Sequence, residues 1–186
     1  FISQFRLHLN TKKNLLKRGF YDTEKKILPL IYRFCKKNKF RLQILGSEWD
    51  EEKEKNFYKN ILNNNDWIFQ KRSSENKSYN FTDASELNIF VDSNLGFESL
   101  ARGNKTISFN FRKTWKQSYH KWGLDFLNDK GKFWTNIYTL SELNRLMNYG
   151  IKTSQKKWKK DNIKIINKLM TYDVKNSKIK KIINRI

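Results

Sequence analysis

Asn88-Ile-Phe-Val-Asp-Ser-Asn-Leu-Gly-Phe-Glu-Ser-Leu-Ala-Arg-Gly-Asn-Lys-Thr-Ile-Ser-Phe-Asn-Phe-Arg112 is the stretch that sets the reading of this chain. Leu87 to Val91, apolar apart from Asn88, predicts a buried strand. Asp92, Ser93 and Asn94 form a turn, the following residues a short helix closed by Gly103, and Thr106 to Phe109 a second strand. A strand that stops at a small polar residue opening a helix leaves backbone N–H groups without partners at the helix N-terminus. Those groups and the helix dipole attract anions, phosphate above all. Gly96 lets a ligand approach the backbone, and Glu98 follows about one helical turn after the cap, on the edge of the same pocket. A carboxylate there can accept the two hydroxyls of a ribose. Together these features predict a pocket for a nucleotide diphosphate. A purely structural reading stands beside it, with Ser93 as an N-cap, Gly103 as the C′ glycine and Glu98 as a solvated helix residue.

Outward from this unit, apolar runs alternate with helical patterns. Phe1 to Leu7, Arg41 to Gly46 and Asp66 to Gln70 read as strands. Asp22-Thr-Glu-Lys25 signals a helix N-terminus, with Ile27, Leu28, Ile31 and Phe34 at helical spacing and Pro29 expected to kink or weaken the helix. Glu51 to Leu62 reads as a helix with Phe57, Tyr58, Ile61 and Leu62 on one face, and Asn76 to Glu86 as a short helix or turn. Such alternation predicts a Rossmann-like α/β fold, a parallel sheet covered on both faces by helices. Ligands in these sheets bind beyond the carboxyl ends of the strands, where Arg6, Ser93 and Arg112 fall. Phe111 to Asn136 reads as a long basic loop carrying Trp115, Tyr119, Trp122, Phe126, Phe133 and Trp134. After the capping signal Thr139-Leu-Ser-Glu142 the remainder reads as helices. The expected organisation is a nucleotide-binding domain over 1–150, with helices of 151–186 packed on the same domain.

The central segment resembles the donor-binding turn of GT-B-type sugar-nucleotide enzymes. It is most similar to bacterial surface-carbohydrate (O-antigen and capsule) biosynthesis proteins, whose pattern is Asp-Ser-Thr-Leu-Gly-Tyr-Glu-Ala-Leu-Ala-Arg-Gly-Lys-Lys between two strands. The matching residues are Asp92, Ser93, Asn94, Leu95, Gly96, Phe97, Glu98, Leu100, Ala101, Arg102, Gly103 and Lys105. Asn94 departs from the pattern and exchanges a hydroxyl for an amide. Phe1 to Arg6, Gly131-Lys-Phe-Trp-Thr-Asn136 and Met170-Thr-Tyr-Asp-Val-Lys-Asn176 resemble further stretches of the family. The resemblance implies the C-terminal, donor-binding half of a GT-B glycosyltransferase, with an N-terminal half absent from this chain. It implies sugar transfer from a nucleotide-sugar donor to a saccharide or lipid-linked acceptor, in lipopolysaccharide or capsule synthesis. Asp92, Ser93, Asn94, Leu95, Gly96 and Glu98 would bind the donor. Arg6 and Arg112 would neutralise charge on the leaving phosphate, which is electrostatic catalysis without a metal or other cofactor. The general base would belong to the absent half. The implied location is cytoplasmic, including peripheral contact with the inner face of an anionic bacterial membrane.

Composition bounds these readings. A chain of 186 residues with 38% hydrophobic and 15% aromatic residues can build one well-packed domain. It opens at Phe1 inside a strand-like run, which reads as a fragment or processed piece. The 39 Lys and Arg against 18 Asp and Glu give a formal +21, which attracts polyanions; a lysine-rich codon bias explains the same number. Cys35 is the single cysteine and lies in an apolar run, so it reads as a core residue, and no intrachain disulfide can form. His8 and His120 are far apart and lack ligands at metal spacing, so no metal site is expected. No apolar run approaches membrane-spanning length.

Other constellations have structural readings. Glu48, Asp50, Glu51, Glu52 and Glu54 fit the positive end of a helix dipole better than paired acid/base chemistry. Lys17-Arg-Gly-Phe20 lacks the aromatics of an RNA-recognition motif. The basic amphipathic pattern through Ile165, Ile166, Leu169, Ile179, Ile182, Ile183 and Ile186 fits packing on the domain, with an anionic membrane face as the functional alternative. Two competing functions follow from the sequence. One is a sugar-nucleotide epimerase or hydrolase of the same fold. The other is a basic nucleic-acid module stacking bases on Tyr119 to Trp134; specific nucleic-acid binding is not expected.

Overall fold

The computed structural model describes residues 1–6, 20–71, 77–111, 128–173 and 177–184. Arg112, His8, His120, Trp115, Tyr119, Trp122 and Phe126, and most of the Lys17 to Phe20 motif, lie outside the described residues. Among those described, five short strands alternate with seven helices: α1 (Asp22–Lys37), β1 (Gln43–Leu45), α2 (Glu51–Leu62), β2 (Ile68–Gln70), α3 (Lys77–Ala84), β3 (Asn88–Phe90), α4 (Asn94–Ala101), β4 (Thr106–Phe109), β5 (Trp134–Thr135), α5 (Leu140–Lys152), α6 (Gln155–Leu169) and α7 (Ser177–Ile183). β1 pairs with β2, β3 with β4 and β4 with β5, all in parallel.

The N-terminal segment joins the two ladders. Ile2 bridges Leu45 in parallel, Ser3 N–H donates to the Leu45 carbonyl and Leu45 N–H to that of Phe1, each at 2.9 Å. On its other side Ile2 N–H donates to the Ile89 carbonyl at 2.8 Å. The backbone order is therefore β2, β1, N-terminal segment, β3, β4, β5. Counted along the chain, with the N-terminal segment first, this is the 3-2-1-4-5-6 order of a doubly wound Rossmann sheet. The winding reverses between the N-terminal segment and β3.

The first turn of α1 shows which ends meet. Arg6 N–H donates to the Tyr21 hydroxyl at 2.8 Å, and that hydroxyl donates to the Arg6 carbonyl at 3.1 Å. Phe111 N–H donates to Thr23 Oγ1 at 2.8 Å. The chain leaving the N-terminal segment and the chain leaving β4 thus touch the same helical turn. Their carboxyl ends form one edge, and Arg6 emerges there four residues beyond Ile2, as Ser93 does beyond Ile89.

Packing explains where the strands and helices run. α1 continues through Pro29, because Ile27, Leu28 and Ile31 are fully buried and their burial offsets one missing hydrogen bond. On the opposite face α4 lies on Phe90, while Trp158 of α6 is fully buried between Phe133 and Tyr149, with ring centroids 6.0 and 5.1 Å away. The expected loop over 111–136 ends differently, since Trp134 and Thr135 form β5. Trp134 lies over Gly131, where a Cβ would sit 2.0 Å from the indole, and its Nε1–H donates to the Asn128 carbonyl at 2.9 Å. The Gly-x-Phe-Trp spacing is a packing requirement. Cys35 is buried, and burial pushes its thiol pKa up, as befits a core residue.

Candidate functional site

At the carboxyl edge α4 opens differently from the other helices whose starts are described. Asp50 caps α2 by accepting from Lys53 N–H, Thr139 caps α5 by accepting from Glu142 N–H, and Ser154 caps α6 by accepting from Lys157 N–H. α1 has no side-chain cap but carries Asp22 and Glu24 in its first turn. α4 has neither device. Ser93 occupies the N-cap position with extended backbone, its side chain makes no capping bond, and no acidic residue lies in the first turn. Gly96 N–H donates to the Ser93 carbonyl at 2.9 Å, so one donor is spent; those of Asn94 and Leu95 have no acceptor among the described residues. Among the described residues, then, neither a side-chain cap nor a first-turn carboxylate meets the positive end of this helix, next to the winding reversal.

Glu98 lies half-buried one turn further along α4. Its Oε2 accepts the Tyr79 hydroxyl at 2.9 Å, and its Oε1 has no partner among the described residues. The hydrogen bond to Glu98, with burial, holds the Tyr79 phenol above its ordinary range. Tyr79 is fixed in turn by Arg102, whose guanidinium stacks on the Tyr79 and Tyr172 rings at 5.0 Å from each centroid. Arg102 also forks onto Asp83 and donates to the Tyr172 hydroxyl at 2.7 Å. This network joins two motifs that are remote in sequence, Ala101-Arg-Gly103 and Tyr172-Asp173. The sequence marked both without showing that they meet, and Tyr79 carried no motif signal at all.

The remaining candidate residues divide. Arg6 is exposed, with Nη1 3.7 Å from Glu48 Oε1, and lies on the strand-like segment next to β3. Asp92 is exposed at the end of β3, and Leu95 is half-buried against the core. Gly96 has a packing role: a Cβ there would lie 2.2 Å from Phe90 Cγ and Cδ2. Its lack of a side chain lets helix and strand approach, which explains the residue without a ligand. Lys105 is buried and pairs with Glu86 near the start of β4, and Gly103 sits at φ 89°, in the left-handed region. Both belong to the scaffold.

Two buried polar groups lie at the same edge; the sequence named both without showing that they are buried. Glu54 is fully buried and accepts from the N–H groups of Ser47 and Glu48, both at 2.9 Å, and from the Ser3 hydroxyl. Ser3 Oγ also lies 2.6 Å from the hydroxyl of buried Tyr58. Glu54 thereby pins the loop after β1 and has a structural role that its acidic neighbours lack. Asn136, at the end of β5, is 4% exposed, and neither of its amide atoms has a hydrogen-bond partner among the described residues. A buried unpaired amide is costly, so it is a site where a ligand can supply the missing partners.

A cleft of about 210 Å³ lies at the opposite edge, near the starts of β1 and β3, lined by Phe1, Phe34, Phe40, Leu87 and Met147 among others. None of the sequence-predicted site residues lines it. The carboxyl edge carries the helix without a side-chain cap and is where doubly wound sheets bind ligands, so it remains the candidate site. No cluster of three metal-ligating side chains exists among the described residues. No curated protein and no solved structure gives a significant match to the chain. A family model described as "putative O-antigen biosynthesis protein" matches residues 1–186, and the chain belongs to that family.

Proposed function

We propose that this chain is the donor-binding half of a GT-B-type glycosyltransferase that takes a nucleotide-sugar and acts in O-antigen synthesis. One observation carries the reading: the N-terminus of α4, whose Ser93 hydroxyl and Asn94 and Leu95 N–H groups have no partner among the described residues, opens next to the place where the strand order reverses. A diphosphate is the ligand best matched to it, because its charge meets the dipole and its oxygens accept the N–H groups. Glu98, one turn on, keeps Oε1 available for ribose hydroxyls while Tyr79 holds its other oxygen. The family description supports the carbohydrate context.

In this reading the chain's part of the reaction is to stabilise the departing nucleoside diphosphate. Negative charge grows on the phosphate oxygen as the sugar–oxygen bond breaks. The Asn94 and Leu95 N–H groups, the Ser93 hydroxyl and the Arg6 guanidinium are the donors for that charge, with Arg112, which lies outside the described residues, as a further candidate cation from the sequence. Pre-oriented donors of this kind need no reorganisation during reaction. Attack by the acceptor hydroxyl requires a base from elsewhere. The test is competition: inorganic pyrophosphate should displace a bound nucleotide-sugar, and Ser93→Ala with Glu98→Ala should weaken its binding. Nucleotide binding indifferent to both the competitor and the double substitution would move the site away from α4.

A further inference from the structure

The positive charge of this protein is unevenly placed. Residues 151–186 hold 12 Lys and Arg against 2 Asp, a local +10 of the total +21, in about a fifth of the chain. A codon bias toward lysine would spread charge in proportion to length, so it does not account for this concentration. The fold then sorts it. Trp158, Asn162 and Ile166 recur every four residues on α6 and are buried, which fixes the helix on the domain. Lys156, Lys160, Lys164 and Lys168 recur at the same interval and are exposed. At 100° per residue the two stripes lie on opposite sides of the helix, and the lysine row runs about 18 Å along its axis. Lys157 is paired with Asp161 at 2.9 Å, whereas Lys156, Lys160 and Lys164 form no ion pair among the described residues.

α7 continues this segment with exposed Lys180 and Lys181 beside Ile182 and Ile183, which are 61% and 62% exposed. Adjacent aliphatic side chains this open to water, next to lysines, have the chemistry of an interfacial anchor. A nucleic-acid surface would instead present aromatic faces for stacking. Trp158 is fully buried, and the Tyr172 ring is occupied by Arg102.

We propose that the C-terminal segment, through the Lys156–Lys160–Lys164 row of α6 and Ile182 and Ile183 of α7, is a docking surface for an anionic lipid membrane. The protein then lies on the bilayer and does not enter it, in keeping with the absence, among the described residues, of a helix long and apolar enough to cross one. The lysines supply attraction to headgroup phosphates, and the isoleucines reach the acyl boundary. This inference does not depend on the reading of the α4 site.

The test is co-sedimentation with vesicles of phosphatidylcholine alone or mixed with phosphatidylglycerol, at physiological ionic strength. The chain should bind the mixed vesicles and not the neutral ones. Replacing Lys156, Lys160 and Lys164 together by Gln should lower partition about a hundredfold, each lysine near the surface contributing roughly fivefold. Ile182→Ser with Ile183→Ser should lower it further, with unchanged circular dichroism in both variants. A control triple, Lys25→Gln, Lys55→Gln and Lys59→Gln, should change partition by no more than about threefold, because charges beyond a Debye length are screened. Equal losses from the control and the α6 triple would overturn the proposal, as would equal binding to neutral vesicles. Tighter binding to a single-stranded oligonucleotide than to the mixed vesicles at the same salt would assign the surface to nucleic acid and overturn it too.

Discussion

Replacing Gly96 by Ala separates packing from ligand binding at α4, and the structure sets the size of the effect. The new methyl would lie 2.2 Å from Phe90 Cγ and Cδ2 and 2.8 Å from Cδ1, where an ordinary contact begins at 3.4 Å, so 1.2 Å of movement is required. Phe90 cannot supply it easily. Its ring is fully buried, its backbone is paired within the sheet, and Phe97 packs on it at 5.2 Å between centroids. The helix has to give way. Alanine gains about 1 kcal/mol of helix propensity over glycine. Overpacking against a ring held this firmly costs about 3 kcal/mol, the upper end of the usual range. The net loss is about 2 kcal/mol, a fall in Tm of roughly 4–8 °C for a chain of this size. Urea denaturation and a thermal melt measure both. Phe90→Leu makes room, so the double variant should be more stable than the sum of the single effects predicts, by about 0.5–3 kcal/mol. A Gly96→Ala protein as stable as the parent would refute the packing argument, and so would strict additivity.

Other consequences can be checked in parallel. Glu98→Ala should weaken nucleotide-sugar binding by about 1–3 kcal/mol, the scale of a charged hydrogen bond, with the fold intact; unchanged affinity by calorimetry would remove Glu98 from the site. Asn136→Leu should stabilise the protein by roughly 1 kcal/mol or more, because it removes an unpaired buried amide, and should weaken nucleotide-sugar binding; a loss of stability would mean that the amide is partnered in solution. Arg102, by its hydrogen bonds, holds the Asp83 carboxyl below its ordinary range. Its folded pKa is thus below the unfolded value of about 3.9, so the pair's contribution is present above that pH and is lost as pH falls through the folded value. Asp83 is partly exposed, which limits the contribution to about 1 kcal/mol or less. Urea midpoints should therefore hold from neutral pH down to about 5 and drop below about 4. Asp83→Asn should make that drop shallower; an unchanged acid profile would place the sensitivity elsewhere.

The sequence showed the parts whose signals are local. The unit from Leu87 to Phe109 was legible because an apolar run, a polar turn, a glycine closure and a second run follow without interruption, and β3, α4 and β4 appear in that order. α2 was equally clear, since its acidic start and its apolar face agree. The order of the strands was not legible, because it depends on Ile2 meeting both Leu45 and Ile89, residues 43 and 87 positions away. β5 was hidden for a related reason. Its two residues are strand only because β4 pairs with them, and their aromatic neighbours read as loop. At the candidate site, the placement of Ser93 and Glu98 on one helix was legible from their spacing. Tyr79, which holds Glu98, came from another helix, and the pairing of Arg102 with Tyr172 spans 70 positions. Gly96 was read as room for a ligand; the ring that occupies its missing side chain belongs to the strand before it, at a distance no pattern reports.

Calorimetric titration of UDP-, GDP-, CMP- and dTDP-linked sugars into the protein bears most directly on whether the edge at α4 is a donor site. One of these should bind saturably at one-to-one stoichiometry, be displaced by inorganic pyrophosphate, and lose affinity in the Glu98→Ala variant. Absence of binding by all four, or binding that ignores both pyrophosphate and the loss of Glu98, would contradict it.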